Sequence, residues 1–395
     1  MSIAAAHPAR ATCRLKRTTL GALVEDGEGF IQTGPFGSQL HAHDYVDDGI
    51  PVVMPQQLGD DRINTLGIAR IRERDRDRLS RHVMREGDIV FSRRGDVTRR
   101  AYITADEDGW LCGTGCLLLR LNHPDCDNRY LAKFFGLHET RSYLIQHAVG
   151  ATMPNLNQGI LASVPVHLPP RHYQERVVDV LTAYDDLIEN NRRRIQLLEQ
   201  AARLLYKEWF VHLRFPGHEH VKIIDGVPEG WERAPLGEVA PLKYGKALKQ
   251  DDRIPGPFPV YGSSGVVGTH EKALVPGPAI IVGRKGNVGS VYWCEDDFHP
   301  IDTVYFIDRE NCSLLLYYSL LHTSFISTDV AVPGLNRDFA QSRKILIPEA
   351  KIQRVFEETV APIHKQLHGL HKYNHALAKA RDFLLPRLMN GEVAL

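Results

Sequence analysis

The chain has 395 residues, 43% of them hydrophobic and 24% charged, which suits two or three packed domains and excludes wholesale disorder. Its 48 Lys and Arg balance 48 Asp and Glu, so a global basic excess is absent and any nucleic-acid surface must be local. No apolar run is long enough for a signal peptide or a membrane span, and Cys13, Cys112, Cys116, Cys126, Cys294 and Cys312 form no CxxC pair, which disfavours a zinc ribbon and suits free thiols in a reducing cytoplasm.

In chain order, the first feature is a tight glycine loop, Thr33-Gly34-Pro35-Phe36-Gly37-Ser38. Gly34, Phe36 and Ser38 are candidate DNA contacts there, although the same residues also make an ordinary turn. Residues 62–100 then hold twelve arginines against six acidic residues, a net +6. Residues 70–78 of that stretch alternate in sign and read as a self-paired surface. Arg93, Arg94, Arg99 and Arg100 lie beyond the alternation and are better candidates for DNA. Gly87 to Phe91 predicts a buried strand, Ser92-Arg93-Arg94-Gly95-Asp96 a turn, and Val97 to Ile103 the returning strand. Arginine reaches phosphates and guanine edges, and glycine lets the backbone approach. Met153-Pro154-Asn155-Leu156-Asn157 follows, with Asn155 and Asn157 as candidates.

Beyond Pro169-Pro170 the pattern changes to a heptad seam. Val177, Leu181, Tyr184, Ile188, Asn191, Ile195, Leu198, Ala202, Leu205 and Trp209 are spaced alternately by four and three. This is a coiled-coil signature, and His172 to Phe210 predicts a helix of about 58 Å.

The second half starts afresh. Lys243 and Lys246 are candidate phosphate contacts, as are Ser263 and Ser264 in Tyr261-Gly262-Ser263-Ser264-Gly265. Ala279 to Val282 predicts a strand, Gly283-Arg284-Lys285-Gly286-Asn287 a turn, and Ser290 to Trp293 the return. Arg284, Lys285 and Asn287 are its candidates. Val332-Pro333-Gly334-Leu335-Asn336 adds Asn336 and Arg337. A second seam follows: Phe356, Val360, Ile363, Leu367, Leu370, Asn374, Leu377, Arg381, Leu384 and Leu388. Pro362 predicts a start or a kink there. Each seam carries one asparagine, Asn191 or Asn374, a residue type that fixes register at some cost in stability. His364, His368, His371 and His375 line the flank of this helix. A metal site is conceivable, but a solvated flank is the simpler reading, and no metal site is assigned.

The halves are copies. Pro154 and Pro333 are separated by 179 residues, and the same offset relates Pro169 to Pro348, Gln174 to Gln353, Leu198 to Leu377 and Leu205 to Leu384. A charged turn alone is ordinarily a solvated turn. Its recurrence at one place in both repeats makes it a DNA candidate. If the first helix carries the chain to a second domain and the second carries it back, the two seams pair antiparallel. No catalytic constellation is present: the serine loop does not fit G-x-S-x-G, and the glycines at 283, 286 and 289 do not fit G-x-G-x-x-G.

Together these motifs resemble a known family. QTGPFGSQLHAHDY (32–45), GIPVVMPQQL (49–58), GDIVFSRRGDV (87–97), GATMPNLNQGILASVPVHLPP (150–170), the seam at 175–210, PEGWERAPLGEV (228–239), VPGLN (332–336) and LAKARDFLLPRLMNGEV (377–393) are similar to the specificity (S) subunit of Type I restriction-modification enzymes. The resemblance implies an α+β fold with two target recognition domains joined by two long antiparallel coiled-coil helices. It places the N-terminal recognition domain at 1–171, the first conserved spacer helix at 172–213, the C-terminal recognition domain at 214–348 and the second spacer helix at 349–395. It implies a non-catalytic, cytoplasmic subunit that recognises a bipartite duplex DNA target. Two modification subunits, bound through the helices, would carry S-adenosylmethionine and methylate adenine. Two restriction subunits, where the system has them, would carry ATP and Mg2+. The chain has no adenine-methylase motif, which fits that division of labour. A self-contained methyltransferase or endonuclease, and a coiled-coil scaffold without a DNA role, are the alternatives. Recognition domains vary within the family, so base-reading residues do not transfer individually.

Overall fold

A computed structural model describes residues 15–150, 152–325, 334–393 and 395. Cys13 and the Val332-Pro333 pair of the second motif lie outside the described residues. The chain forms two compact units, residues up to Ile188 with Ala376–Leu395, and Glu189–His375.

The first unit is built on a sheet whose strands lie in the order Phe30–Thr33, Cys116–Arg120, Ile89–Ser92, Arg100–Tyr102 and Asp60–Asp61. In the second unit the order is Lys243–Tyr244, Val304–Ile307, Ala279–Gly283 and Val291–Cys294. Each of these four corresponds to one of the first four strands, and every pair among them is antiparallel. A second sheet is duplicated too. Ile50–Val53 runs parallel to Leu111–Cys112 and antiparallel to Ala69–Ile71, as Phe258–Gly262 does to His299–Pro300 and Gly265–His270. The central strands are buried on both faces, which is why Ile89-Val90-Phe91 and Ile280-Ile281-Val282 are unbroken apolar runs.

A two-stranded ribbon closes each globular part: Lys16–Thr19 with Pro165–Leu168, and Glu232–Pro235 with Lys344–Ile347. The chain therefore enters and leaves each sheet region at one place, and the exit leads directly into a long helix. The first spans Arg171–Tyr206 and continues as a single π turn, Lys207–Val211; the second spans Ala350–Met389. The second helix starts ahead of Pro362 and runs through it. Pro362 is exposed, so the Glu358 carbonyl that loses its helical donor lies on the solvent side, while Phe356 and Val360 hold the turn through buried packing.

Both units contain a stretch of each helix. In the first, Val177 and Leu181 share a core with Leu388 and Met389, and the Tyr173 hydroxyl donates to the Leu388 carbonyl at 3.0 Å. In the second, Ile195 packs on Leu367 and Leu370, with Leu198 and Ile363 alongside, and Tyr206 joins Phe356. Within each unit, contacts that ascend one helix descend the other, so the pairing is antiparallel. Tyr184, Leu205 and Leu384 are half-buried at the seam's edges, and Leu377 is buried within it. No helix among the described residues is long and apolar enough to cross a membrane.

Candidate nucleic-acid interface

In each unit, one loop cluster gathers around the basic turn. In the first, the Arg93 amide donates to the Gly115 carbonyl at 2.8 Å, and the Arg93 carbonyl accepts from the Leu156 amide at 2.9 Å. In the second, the Arg284 amide donates to the Thr303 carbonyl at 2.8 Å, and its carbonyl accepts from the Leu335 amide at 2.7 Å. The Gly34 amide donates to the Cys116 carbonyl at 2.9 Å, as the Gly245 amide does to the Val304 carbonyl at 3.2 Å. A Cβ on Gly34 would sit 2.0 Å from the Gly113 carbonyl oxygen, and one on Gly245 would sit 2.0 Å from that of Ile301, so only glycine permits this closure. Gly95 and Gly286, at the two basic tips, both have φ of 79°. Thus the glycine loop, the basic turn and the leucine-asparagine segment (Leu156-Asn157 and Leu335-Asn336), far apart in sequence, converge in the same way twice.

The side chains at these clusters are mostly basic and exposed. Arg94 is exposed, and Arg93 is half-buried with its Nε donating to Asn155 Oδ1 at 3.2 Å. Arg99 is exposed and pairs with Asp96 at 3.2 Å. Phe36 is 58% exposed, and Ser38 beside it is exposed. In the second unit Lys246 and Asn287 are exposed, Lys285 lies 3.8 Å from Asp302, and Lys243 pairs with Asp308. The Arg284 guanidinium lies over the Tyr244 ring at 5.1 Å and near that of Tyr305 at 5.7 Å, while exposed Arg337 lies 5.3 Å from the Tyr244 ring. Ser264 is exposed at the tip of the Phe258–Gly262 and Gly265–His270 hairpin.

Five candidates play other parts: Gly34 is buried and serves the loop closure just described. Arg100 is withdrawn from the surface: it is 2% exposed, its Nε donates to the Ala132 carbonyl at 2.6 Å, and it pairs with Asp61 at 2.9 Å. Asn157 and Asn336 are helix N-caps, accepting from the amides of Ile160 at 2.8 Å and Phe339 at 3.1 Å. Ser263 is nearly buried; its carbonyl accepts from Ser290 Oγ at 2.6 Å and from the Tyr292 hydroxyl at 3.2 Å. The alternating segment pairs largely with itself, through Arg72–Asp75, Arg78–Asp75 and Arg76–Asp77.

Two features escape a linear reading. Lys133 bridges Asp61 at 2.9 Å and Asp185 at 2.6 Å, and Arg381 reaches Asp185 at 2.7 Å, so the first sheet region is tied to both helices by charge. Burial disfavours charge on Lys133 and Asp185, yet the ion pairs outweigh it, raising the lysine's pKa and lowering the aspartate's. The arginine at a seam position was the available sign. The histidines, in turn, are not a uniform solvated flank. His364 is buried, with Nε2 2.8 Å from the Tyr318 hydroxyl, and burial pulls its pKa down to about 4. His368 lies 3.6 Å from Asp296, and His371 and His375 are exposed. Among the described residues, no group of three or more His, Cys, Asp or Glu side chains could hold a metal ion.

Comparison with known proteins places this geometry. A family model described as Type I restriction modification DNA specificity domain matches residues 70–200 and again 228–375. The MjaIX specificity subunit, a Type I restriction enzyme component of Methanocaldococcus jannaschii, is 24% identical over 298 residues, covering 67% of this chain and 69% of its own. The HindI specificity subunit of Haemophilus influenzae is 24% identical over 405 residues, covering 80% and 88%. The crystal structure of a Type I restriction-modification S subunit from M. genitalium has a similar fold, with a TM-score of 0.63 at 17% identity over 97% of this chain and 98% of that one.

Proposed function

Because this chain belongs to the Type I restriction-modification DNA specificity family, with one family domain in each half, we propose that it is the subunit that selects the DNA sequence on which partner enzymes act. The observation that carries this reading is the duplicated loop cluster, in which the same backbone bonds hold a basic tip in both units. Each cluster would address one half of a bipartite duplex target. Arg94 and Lys285 sit at the tips, with Arg93, Arg99, Lys246 and Arg337 beside them, where guanidinium and ammonium groups reach phosphates or guanine edges. Phe36, Ser38, Asn155, Ser264 and Asn287 stand at or beside the same loops and would add apolar and polar contacts.

In this reading the chain carries no catalytic group. Two modification subunits dock on the paired helices, bring S-adenosylmethionine and methylate adenine. Restriction subunits, where present, bring ATP and Mg2+. The complex works in the cytoplasm, where the DNA is. The test is methyl transfer to DNA from labelled S-adenosylmethionine, with this chain alone, with the modification subunit alone, and with both. Sequence-selective transfer is expected only from the mixture. Robust transfer by the purified chain alone would instead identify a self-contained methyltransferase.

A further inference from the structure

The two loop clusters share backbone bonds but differ in the side chains on one strand pair. In the second unit, strand pairing sets Tyr244 beside Tyr305, and in the first unit it sets Thr33 beside Leu117. Tyr305 and Leu117 occupy the same place, since Val282 pairs with the one and Phe91 with the other. Tyr244 is 50% exposed, with its ring edge-on to Tyr305 at 5.1 Å. The guanidiniums of Arg284, from the basic turn, and Arg337, from the start of the Arg337–Gln341 helix, lie 5.1 and 5.3 Å from its ring. Further bonds fix the surroundings: Arg284 Nη1 donates to the Asp302 carbonyl at 3.1 Å, and the Tyr305 hydroxyl donates to the Leu335 carbonyl at 2.8 Å.

A free arginine loses side-chain entropy when it binds, and a ring that holds the guanidinium beforehand reduces that loss. Each guanidinium is a planar donor fork suited to the O6 and N7 acceptors of guanine. We propose that Tyr244 is a positioning residue for DNA recognition by the second unit, holding Arg284 and Arg337 together to read guanine, a device that the first unit lacks. The inference rests on the DNA-specificity reading above and adds an asymmetry between the two half-sites.

The experiment uses the full chain copurified with its modification subunits. Bound DNA is selected from a random-sequence library, and base preference is read at each position. Wild type, Tyr244→Phe, Tyr244→Leu and Arg284→Ala are compared. Arg284→Ala marks the positions read by the second unit. Tyr244→Leu keeps apolar packing on Tyr305 but removes the ring face. It should lose preference at those same positions and leave the other half-site intact. Its affinity for the wild-type target should fall about five- to thirtyfold, as expected when two exposed cation–π interactions are removed. Tyr244→Phe keeps the face and should restore both. Full preference in Tyr244→Leu, loss spread over both half-sites, or failure of Tyr244→Phe to restore would each overturn the proposal. Absence of any base preference in the wild type would instead count against the DNA-specificity reading itself.

Discussion

Asn191 Nδ2 donates to Asn374 Oδ1 at 2.9 Å, joining the two long helices at the asparagine position of each seam. Asn191 is 4% exposed, so the amide that loses its partner has little water to replace it. Pairing of the two asparagines satisfies both only in one register, and a shift of either helix would bury an amide against leucine.

Removing one asparagine should therefore cost more than removing both. Asn374→Ala is expected to destabilise the chain by about 1–3 kcal/mol, the usual penalty for stranding a buried polar group, because it takes this partner from the buried Asn191 amide. Asn191→Leu with Asn374→Leu should be neutral or stabilising. Urea unfolding midpoints compare the variants, and equal losses in both would mean that the pair does not act as a unit.

The basic tips make a second prediction. Arg93→Ala with Arg94→Ala, and Arg284→Ala with Lys285→Ala, should each weaken DNA binding. Where a side chain touches a phosphate, its removal should lower the salt slope by about 1. Where it reads a guanine, its removal should cost about 1–3 kcal/mol and relax the preference at that base only. Titrations at several salt concentrations separate the two cases. Unchanged affinity and slope would place the tips away from DNA.

Arg100 should behave quite differently from its neighbour Arg99. Arg100→Met breaks a buried ion pair and should destabilise the first unit by about 3 kcal/mol, toward the lower end for such pairs because Lys133 still faces Asp61. The salt slope of DNA binding by the folded fraction should not change. Thermal unfolding and salt titration on one preparation test both statements.

This contrast also explains what the sequence made legible. Heptads and a repeat offset are periodic signals, so the long helices, their seams and the duplication follow from one chain read alone. Arg99 and Arg100 look equivalent in a linear reading, but Arg100 begins a strand, where successive side chains point to opposite faces. One therefore remains outside, and the next turns in toward Asp61. Asn157 and Asn336 showed the composition of a helix cap as well as that of a polar contact, and the short helices behind them decide between the two. Tyr244 carries no local signal, because its partners come from segments about 40 to 90 residues downstream.

His364 predicts a pH dependence. Its folded pKa of about 4 lies below the ordinary histidine value of 6.5 because burial disfavours the charged ring. Between those values the unfolded chain binds the extra proton, so stability should rise with pH through this window and level off above it. The full contribution is at most about 3 kcal/mol. His364→Gln should flatten the dependence between pH 4 and 6.5 in urea unfolding. An unchanged slope would assign the window to other groups.

The most direct measurement of the central claim is the adenine methylation map of a host genome carrying the modification subunits, with and without this chain. With the chain present, methylation should appear at a single motif made of two short half-sites separated by a fixed gap. Without it, that motif should be unmethylated. The same methylated motif in both strains, or methylation with no sequence preference when the chain is present, would contradict the assignment of sequence selection to this chain.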